Sequence, residues 1–511
     1  MDETAQRKPG SIVVWTVLAV LMLAGGVLRL WGLGAESVWW DEFTSLTYID
    51  APSLWEFLGL NRTLDPATLP VYYTLEYLWH HYVWGSVYGL RIFSVILGVV
   101  SIPLLYTLGK ALFGPWAGVT AALCMALSPI HVHHAQGIRM YVLFTLLAIL
   151  SAWTFVEVRR GAGKRWWGGH GLVNLALIWT HPFAILLPVA EGASLLLTDW
   201  RNRGRVAAWV GLHAVLALPL ALYISTVSFW TLNTTEDWLA APAPVEVFAD
   251  IFADDMVHAT YQLRASETPF AFLPGPAAEM LRGWEIGAGL LLVGMLAGLM
   301  LWFFCRAFYF SHRQDLEEGM QGWVFPSVFL VCWMLLPAAL LYITSLVYRP
   351  CMFPRYTVHS SLAFYLLAGC GVAVLRGTPR RVAAVLLLAG LLLYQNGLLH
   401  PGPQRTDWKS AAEYIAENAD DGDVVLVRET TWRDVFLYNF EGPPPVPVAG
   451  VDYVGNIAAW YLEHCGAPET VVWGVIPHRY FDAGGLYYVE EEAEKAGLEF
   501  SFEEFGGIKH V

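Results

Sequence analysis

The chain has 511 residues, of which 56% are hydrophobic and only 14% are charged. Soluble domains carry about 25% charged residues, so this composition, with repeated apolar runs of about twenty residues, excludes a soluble globular protein and indicates a polytopic helical membrane protein. The net charge of −14 and the lack of a basic cluster of the nucleic-acid-binding kind exclude nucleic acid as a partner.

The first apolar run, residues 12–31, is long enough to cross a bilayer and follows Arg7 and Lys8. Because basic residues remain on the cytoplasmic side, we predict a retained anchor with its N-terminus inside. Residues 31–88 then form an outer loop. Three short segments of this loop are predicted to lie in the membrane interface: 44–48, 54–60 and the aromatic 72–84.

The remaining apolar segments alternate across the membrane and bring the total to about eleven spans. They are residues 90–108, 116–129, 141–158, 172–180, 183–198, 206–225, 286–304, 324–345, 360–375 and 382–399. Nearly every cluster of Lys and Arg, including 159–165 and 201–205, then lies inside. Interpreting residues 72–84 as a further span would invert every later loop, which the charge rule disfavours.

Residues 401–511 are predicted to form a soluble α/β domain outside the membrane. Its pattern indicates a helix at 408–418, strands at 424–427 and 471–476, an acidic helix near 489–496 and a last strand around 498–502. The predicted fold class is therefore mainly α: a transmembrane helical bundle over residues 1–400 with interfacial helices, followed by the α/β domain at 401–511.

The stretch ESVWWDEFTS, residues 36–45, follows the first span and places Asp41 and Glu42 behind Trp39 and Trp40. Tryptophan is typical of headgroup depth, because indole is apolar with one N–H to satisfy. An acidic pair at that depth can meet a lipid headgroup and a water-borne molecule together. The alternative is structural, with Asp41 as the N-cap of a helix that begins at Phe43.

Four arginines lie at the outer ends of spans, where the charge rule does not require them: Arg91, Arg139, Arg349 and Arg355. A charge within the hydrocarbon costs about 2.5–3.5 kcal/mol on insertion scales, so such residues usually have a partner or a task. Guanidinium matches phosphate well, since it offers a rigid fork of donors with a permanent charge. The arginines therefore suit the phosphate of a polyprenyl lipid, although each alone is also typical of a snorkelling headgroup contact.

Histidines at 131, 133 and 134 do not have the spacing of a known metal-ligand code, and the His181-Pro182 turn is predicted to lie outside. We interpret them as hydrogen-bonded or substrate-binding groups. The sequence analysis predicts no metal site and no cofactor.

Four stretches in this order resemble the GT-C superfamily of membrane glycosyltransferases, in particular glycosyltransferase family 39, the protein-O-mannosyltransferases, and the bacterial aminoarabinose-transferase-like group. They are ESVWWDEFTS, LDPATLPVYYTLEYLW at 64–79, SPIHVHHAQGIRMY at 128–141 and FPRYTVHSSLAFYLLAG at 353–369. Two positions depart from the family's pattern: Thr68-Leu69-Pro70 replaces His-Pro-Pro, and Gly137 replaces a glutamate. The segment 407–427 also resembles the outer domain of bacterial members.

The resemblance implies an inverting transfer of a sugar from a polyprenyl-phosphate donor to a hydroxyl of a glycan, lipid or protein acceptor. Asp41 is the expected general base, and Glu42 would orient the acceptor or tune Asp41. Arg139 and Arg355, with Arg91 as a third, would stabilise the lipid-phosphate leaving group. The expected donor-sugar and acceptor pocket consists of Tyr141, Gln136, His134, Tyr356, Trp40, Tyr73 and His181. The expected location is a cell inner (plasma) membrane, with the active site and C-terminal domain on the periplasmic or extracellular side.

Two alternatives remain open at this stage. A flippase or transporter of lipid-linked sugar would also carry intramembrane charges, although it usually has two related halves, and the sequence shows no internal repeat. A member of the same superfamily that transfers an oligosaccharide, or polymerises its own product, would share all four stretches.

Overall fold

The computed structural model describes residues 11–64, 68–226, 291, 294–295, 297–302, 317–348, 351–352, 354–399, 407–428, 430–440, 444, 446–451, 471–477, 503–505 and 508–510. The chain divides into two compact units. The first comprises Met1–Trp31 and Ala51–Leu398, and the second comprises Gly32–Asp50 and Leu399–Val511. The sequence analysis assigned residues 32–50 to the membrane domain, whereas the structure groups them with the C-terminal chain.

The first unit is helical. Within the described residues, its helices are α1 Ser11–Leu30, α3 Leu54–Leu64, α4 Pro70–Tyr82, α5 Val87–Phe113, α6 Pro115–Leu127, α7 Pro129–Ala135, α8 Tyr141–Arg159, α9 Lys164–Ile178, α10 Leu186–Asp199, α11 Arg203–Thr226, α12 Glu317–Val347, α13 Ser360–Ala373 and α14 Thr378–Leu399, besides helical residues between 291 and 302. The helix α2 (Trp40–Leu46) belongs to the second unit. Among the described residues, six helices are long and apolar enough to span a membrane, or seven if α6 and α7 count as one. The multi-pass helical class is confirmed, and the total of eleven spans stays a prediction.

A break separates α6 from α7, which are bent by 55°. Pro129 has no N–H to offer the carbonyl of Met125, so the last carbonyls of α6 need other donors. The buried guanidinium of Arg29 on α1 donates to the carbonyls of Met125 and Ala126, both at 2.9 Å. Asn396 on α14 donates to the Leu127 carbonyl at 2.6 Å. These side chains stabilise the break and fix the direction of α7.

Small residues let α5, α6 and α13 pack at short range. A Cβ added to Gly118 on α6 would lie 2.5 Å from the Tyr106 carbonyl of α5, and one added to Gly369 on α13 would lie 2.5 Å from the Ala117 carbonyl of α6. Membrane helices associate through such close backbone packing, because lipid supplies no hydrophobic force between them. These three helices form the packed centre of the unit.

The second unit contains a five-stranded sheet in the order β2-β1-β3-β5-β4. The strands are β1 Val424–Arg428, β2 Val448–Val451, β3 Val472–Pro477, β4 Glu503–Phe505 and β5 Ile508–His510. β2, β1 and β3 are parallel, and β5 and β4 run antiparallel. Two helices, α15 (Trp408–Asn418) and α16 (Thr430–Tyr438), share a core with β1 through Trp408, Phe436 and Val425.

Several boundaries differ from the sequence-based predictions. α2 begins at Trp40 with Trp39 as its N-cap and no capping side chain, so the alternative that Asp41 caps a helix from Phe43 is wrong. α9 begins at Lys164 rather than at residue 172, because the polar stretch before the apolar run is already helical. α16, β2, β4 and β5 were not predicted. The predicted acidic helix near 489–496, the strand at 498–502 and most of the span at 286–304 lie outside the described residues.

Candidate active site

The first unit gathers seven of the predicted site residues from chain segments far apart in sequence. We call this set the arginine cluster. Its members are Tyr73 on α4, His134 on α7, Arg139 between α7 and α8, Tyr141 at the start of α8, His181 after α9, and Arg355 and Tyr356 in a short 3-10 helix before α13.

Both arginines of the cluster lie over aromatic rings. The guanidinium carbon of Arg355 lies 5.9 Å from the ring centre of Tyr141 and 5.7 Å from that of Tyr356. Arg139 is buried, and its guanidinium carbon lies 5.9 Å from the ring centre of Tyr73. Such distances allow a cation–π attraction that holds the planar groups in a defined orientation. The N–H groups around each plane's edge then suit recognition of phosphate oxygens.

His181 lies at the centre of the cluster. Its ring is 5.4 Å from Tyr356 and 5.8 Å from Tyr141, and it stacks on Phe144 at 5.0 Å with an angle of 3° between the planes. Nδ1 of His181 accepts a hydrogen bond of 3.2 Å from the backbone N–H of Phe183, so a neutral ring carries its proton on Nε2.

Electrostatics keep His181 in that neutral form. Burial lowers the pKa of His181 to about 3, and the neighbouring His359 and the guanidinium groups of Arg355 and Arg139 lower it further. The charges of both guanidiniums therefore act on one imidazole. At neutral pH His181 offers a hydrogen-bond donor without adding a charge.

Two further residues extend the cluster along α4 and α7. The ring of His134 lies 4.9 Å from that of Tyr141, and the hydroxyl of Tyr73 donates to the sulfur of Met140 at 3.5 Å. Glu76 is fully buried one helical turn from Tyr73. Sequence reasoning missed this carboxylate, although an acid within an aromatic helix next to a predicted site residue was a usable signal.

Two other predicted site residues of the first unit are Gln136, at the end of α7, and Arg91, near the start of α5. Gln136 uses its side-chain nitrogen to donate to the Trp31 carbonyl at 2.8 Å, at the end of α1, so that N–H is engaged with the backbone. Arg91 is buried near the start of α5. Arg349, which the sequence analysis included among the outer arginines, lies outside the described residues.

The acidic stretch belongs to the second unit. Asp41 is half-buried and Glu42 is fully buried, both in the first turn of α2. The ring of Trp40 lies 5.5 Å from that of Trp432 on α16. The side chain of Asn439 accepts from the Val38 N–H and donates to the Val38 carbonyl, both at 3.0 Å. Trp40 therefore packs in the core of the second unit, and the acidic pair is held on a fixed segment.

The comparisons with known proteins agree with this architecture. Residues 83–230 match the family model described as dolichyl-phosphate-mannose-protein mannosyltransferase. The fold is similar to ArnT from Cupriavidus metallidurans bound to undecaprenyl phosphate, at 12% identity and a TM-score of 0.51 over 98% of this chain and 97% of that one. The apo form of ArnT aligns equally well, at 13% identity. No curated protein sequence matches the chain.

A second solved structure has the same fold. The Archaeoglobus fulgidus oligosaccharyltransferase, in a complex with Zn and sulfate, aligns with 94% of this chain and 70% of its own length, at 13% identity and a TM-score of 0.50. The family-model match and the shared fold together support a membrane glycosyltransferase of the GT-C superfamily, and they confirm the resemblance in the sequence.

Proposed function

We propose that this protein transfers a sugar from a polyprenyl-phosphate donor to a hydroxyl of an acceptor glycan, lipid or protein. The observation that carries the proposal is the arginine cluster itself, in which Arg139 and Arg355 lie over tyrosine rings and Tyr356 contacts His181. Two fixed positive charges beside aromatic rings suit a phosphate that leaves on a lipid. The similarity to ArnT, whose structure contains undecaprenyl phosphate, supports a donor of this class.

The chemistry follows from the leaving group. The acceptor oxygen attacks the anomeric carbon from the face opposite the phosphate, the carbon–oxygen bond to the phosphate breaks, and the anomeric centre inverts. The leaving polyprenyl phosphate is an anion, so it needs positive charge and hydrogen-bond donors rather than a proton. Arg139 and Arg355 supply the charge, and the N–H of His181 supplies a neutral donor. Tyr141 and Tyr356 line the sugar.

The proton of the acceptor hydroxyl goes to a carboxylate, for which Asp41 is the predicted base. Glu42 is predicted to orient the acceptor or to tune Asp41. Arg91 stays a predicted third phosphate contact. With the basic loops inside, we place the reaction on the periplasmic or extracellular face of a cell membrane.

The test is a transfer assay with the full chain in proteoliposomes, a polyprenyl-phosphate sugar pool and candidate acceptors. Asp41→Asn is expected to lower kcat by about 100–10,000-fold, the usual contribution of a general base. Asp50→Asn, an exposed carboxylate of the same segment, is the matched control and is expected to transfer normally. Equal transfer by Asp41→Asn and wild type contradicts the base assignment, and lipid movement without transfer favours the flippase.

A further inference from the structure

A second polar cluster lies in the first unit, on three helices that the proposed reaction does not use. His170 on α9, Glu191 on α10 and His213 on α11 are all buried, and one donor atom of each lies within 4.8 Å of the others. We propose that this histidine–glutamate cluster binds a divalent transition-metal ion, with zinc as the first choice because two imidazoles and one carboxylate are a ligand set that zinc favours.

The spacing of the donor atoms fits one ion. Nε2 of His170 lies 3.4 Å from Oε2 of Glu191, and two ligands in tetrahedral positions around zinc are about 3.3 Å apart. The rings of His170 and His213 meet edge to face with centres 5.3 Å apart. A nitrogen of His213 lies within 4.8 Å of a ring nitrogen of His170 and of a carboxylate oxygen of Glu191.

Hydrogen-bond acceptors on the far side of each ring allow the tautomers that a metal needs. Nδ1 of His213 lies 2.9 Å from the Trp209 carbonyl, an acceptor, so the proton is on Nδ1 and the lone pair on Nε2. Nδ1 of His170 lies 3.0 Å from the Thr154 hydroxyl, which itself donates to the Leu150 carbonyl. That hydroxyl can therefore accept from Nδ1 of His170, and in this tautomer Nε2 presents its lone pair toward Glu191. Metal-binding histidines are usually oriented in this way.

Two ligand atoms are otherwise unsatisfied. Among the described residues, neither Nε2 of His213 nor Oε2 of Glu191 has a hydrogen-bond partner. The other carboxylate oxygen, Oε1, accepts from the Ser151 hydroxyl at 2.9 Å. Buried polar atoms within membrane helices are expensive unless paired, and one cation satisfies both.

One neighbouring amide must remain compatible with the ion. Nδ2 of Asn174 lies 3.1 Å from Nδ1 and 3.3 Å from Nε2 of His170, and 3.0 Å from the His170 backbone carbonyl. The bond to the carbonyl is the shortest of the three and needs no lone pair of the ring. With a metal on Nε2, this amide keeps the backbone bond.

A cavity lies near the cluster, on the side of the basic loop. It has a volume of about 360 Å³ and lies at the α9 and α11 ends nearest that loop, with Trp167 and Ala208 in its lining. Trp167 is three residues from His170 and Ala208 is five from His213, so the cavity lies about 5–8 Å along the helices from the cluster. Its two cationic residues are Lys164 and Arg205, and Arg205 is neutralised by its ion pair with Asp199.

Three protein ligands leave a fourth position for water. An ion held there ties α9, α10 and α11 together away from the arginine cluster, because His170 is about 12 Å along α9 from the end that precedes His181. The expected role is therefore structural, and its readout is independent of sugar transfer.

The test uses the detergent-solubilised full chain with a tag that contains no histidine. The protein is stripped with a chelator, reloaded with zinc, and its metal content and Tm are measured. Wild type is expected to bind one zinc per chain with a rise in Tm, and cobalt(II) is expected to give the visible absorption of a tetrahedral site. His213→Phe, which preserves the stacking on Trp209, and Glu191→Gln are expected to lose the metal.

A matched control and an outer-shell variant separate binding from folding. His131→Phe replaces another buried histidine, which is hydrogen-bonded to Ser361, and is expected to retain one zinc. Thr154→Val removes the partner of His170 Nδ1 and is expected to weaken zinc binding by about 10–100-fold. Substoichiometric zinc in the folded wild type, or equal zinc affinity in wild type and His213→Phe, overturns the proposal.

Discussion

The two polar clusters of the helical unit use the same residue type for opposite purposes. In the arginine cluster His181 is surrounded by aromatic rings and influenced by the charges of Arg139 and Arg355. In the histidine–glutamate cluster His170 and His213 face the carboxylate of Glu191. The first arrangement favours an anion and the second a cation. What a buried histidine binds here is therefore decided by the charges that other helices bring to it.

Removing a guanidinium from the arginine cluster is expected to have the largest effect, because it removes the charge that distinguishes this cluster from the histidine–glutamate cluster. Arg139→Gln and Arg355→Gln are each expected to lower kcat for transfer by about 100–1,000-fold, or about 2.7–4 kcal/mol, because each removes a charge that stabilises the leaving phosphate. Arg139→Lys retains the charge but loses the fork, so an intermediate loss is expected. Proteoliposome transfer rates measure all three.

The control for these variants is Arg62→Gln. Arg62 also lies over a tyrosine, 5.9 Å from the ring centre of Tyr223, but it is exposed and outside the cluster. Its replacement is expected to leave transfer unchanged. An equal loss in Arg62→Gln and Arg139→Gln would show that the effect comes from lost cation–π packing rather than from the donor phosphate.

Arg29 sharpens the comparison, since it is a buried arginine whose donors already meet backbone carbonyls. Arg29→Leu is expected to destabilise the protein by about 2–3 kcal/mol, because the carbonyls of Met125 and Ala126 lose their donors. The Tm in detergent measures the effect, with the exposed Arg62→Leu as control. A Tm equal to wild type would mean that the break between α6 and α7 is stabilised in another way.

The low pKa of His181 predicts a pH dependence of stability. Below the unfolded pKa of about 6.5 the unfolded chain takes up a proton that folded His181 refuses down to about 3, so stability falls as the pH falls. At pH 5 this costs about 2 kcal/mol. His181→Phe, which preserves the stacking on Phe144, is expected to reduce the fall in Tm between pH 7.5 and 5. An unchanged fall would place the titration on another group.

The sequence predicted the parts of this molecule that depend on local patterns. Apolar runs predicted the membrane helices, because a helix pairs all of its backbone N–H and C=O groups within its own segment. Arginines at span ends indicated the arginine cluster, because a charge at membrane depth is costly unless it has a partner or a function. Arg29 was missed, since its purpose is defined only by the break in another helix at Pro129.

Features that only contacts between distant segments define, with no motif in any of the segments, could not be predicted. His170, Glu191 and His213 are 21 and 22 residues apart on three helices, so no ligand spacing exists to find. The hydrogen bond between the Val38 backbone and the Asn439 side chain joins residues 401 positions apart. It attaches the acidic stretch to the second unit. Gln136 stays a predicted sugar-pocket residue, and the bond from its side-chain nitrogen to the Trp31 carbonyl could not be predicted from its motif.

The most direct test of the central claim is the binding of a polyprenyl phosphate to the detergent-solubilised full chain, measured for wild type, Arg139→Gln, Arg355→Gln and Arg62→Gln. Wild type and Arg62→Gln are predicted to bind with equal affinity. Each cluster variant is predicted to bind at least about tenfold more weakly, since a charge-assisted hydrogen bond is worth about 1.5–3 kcal/mol. Equal binding by all four proteins would contradict the assignment of the arginine cluster as the site of the lipid phosphate.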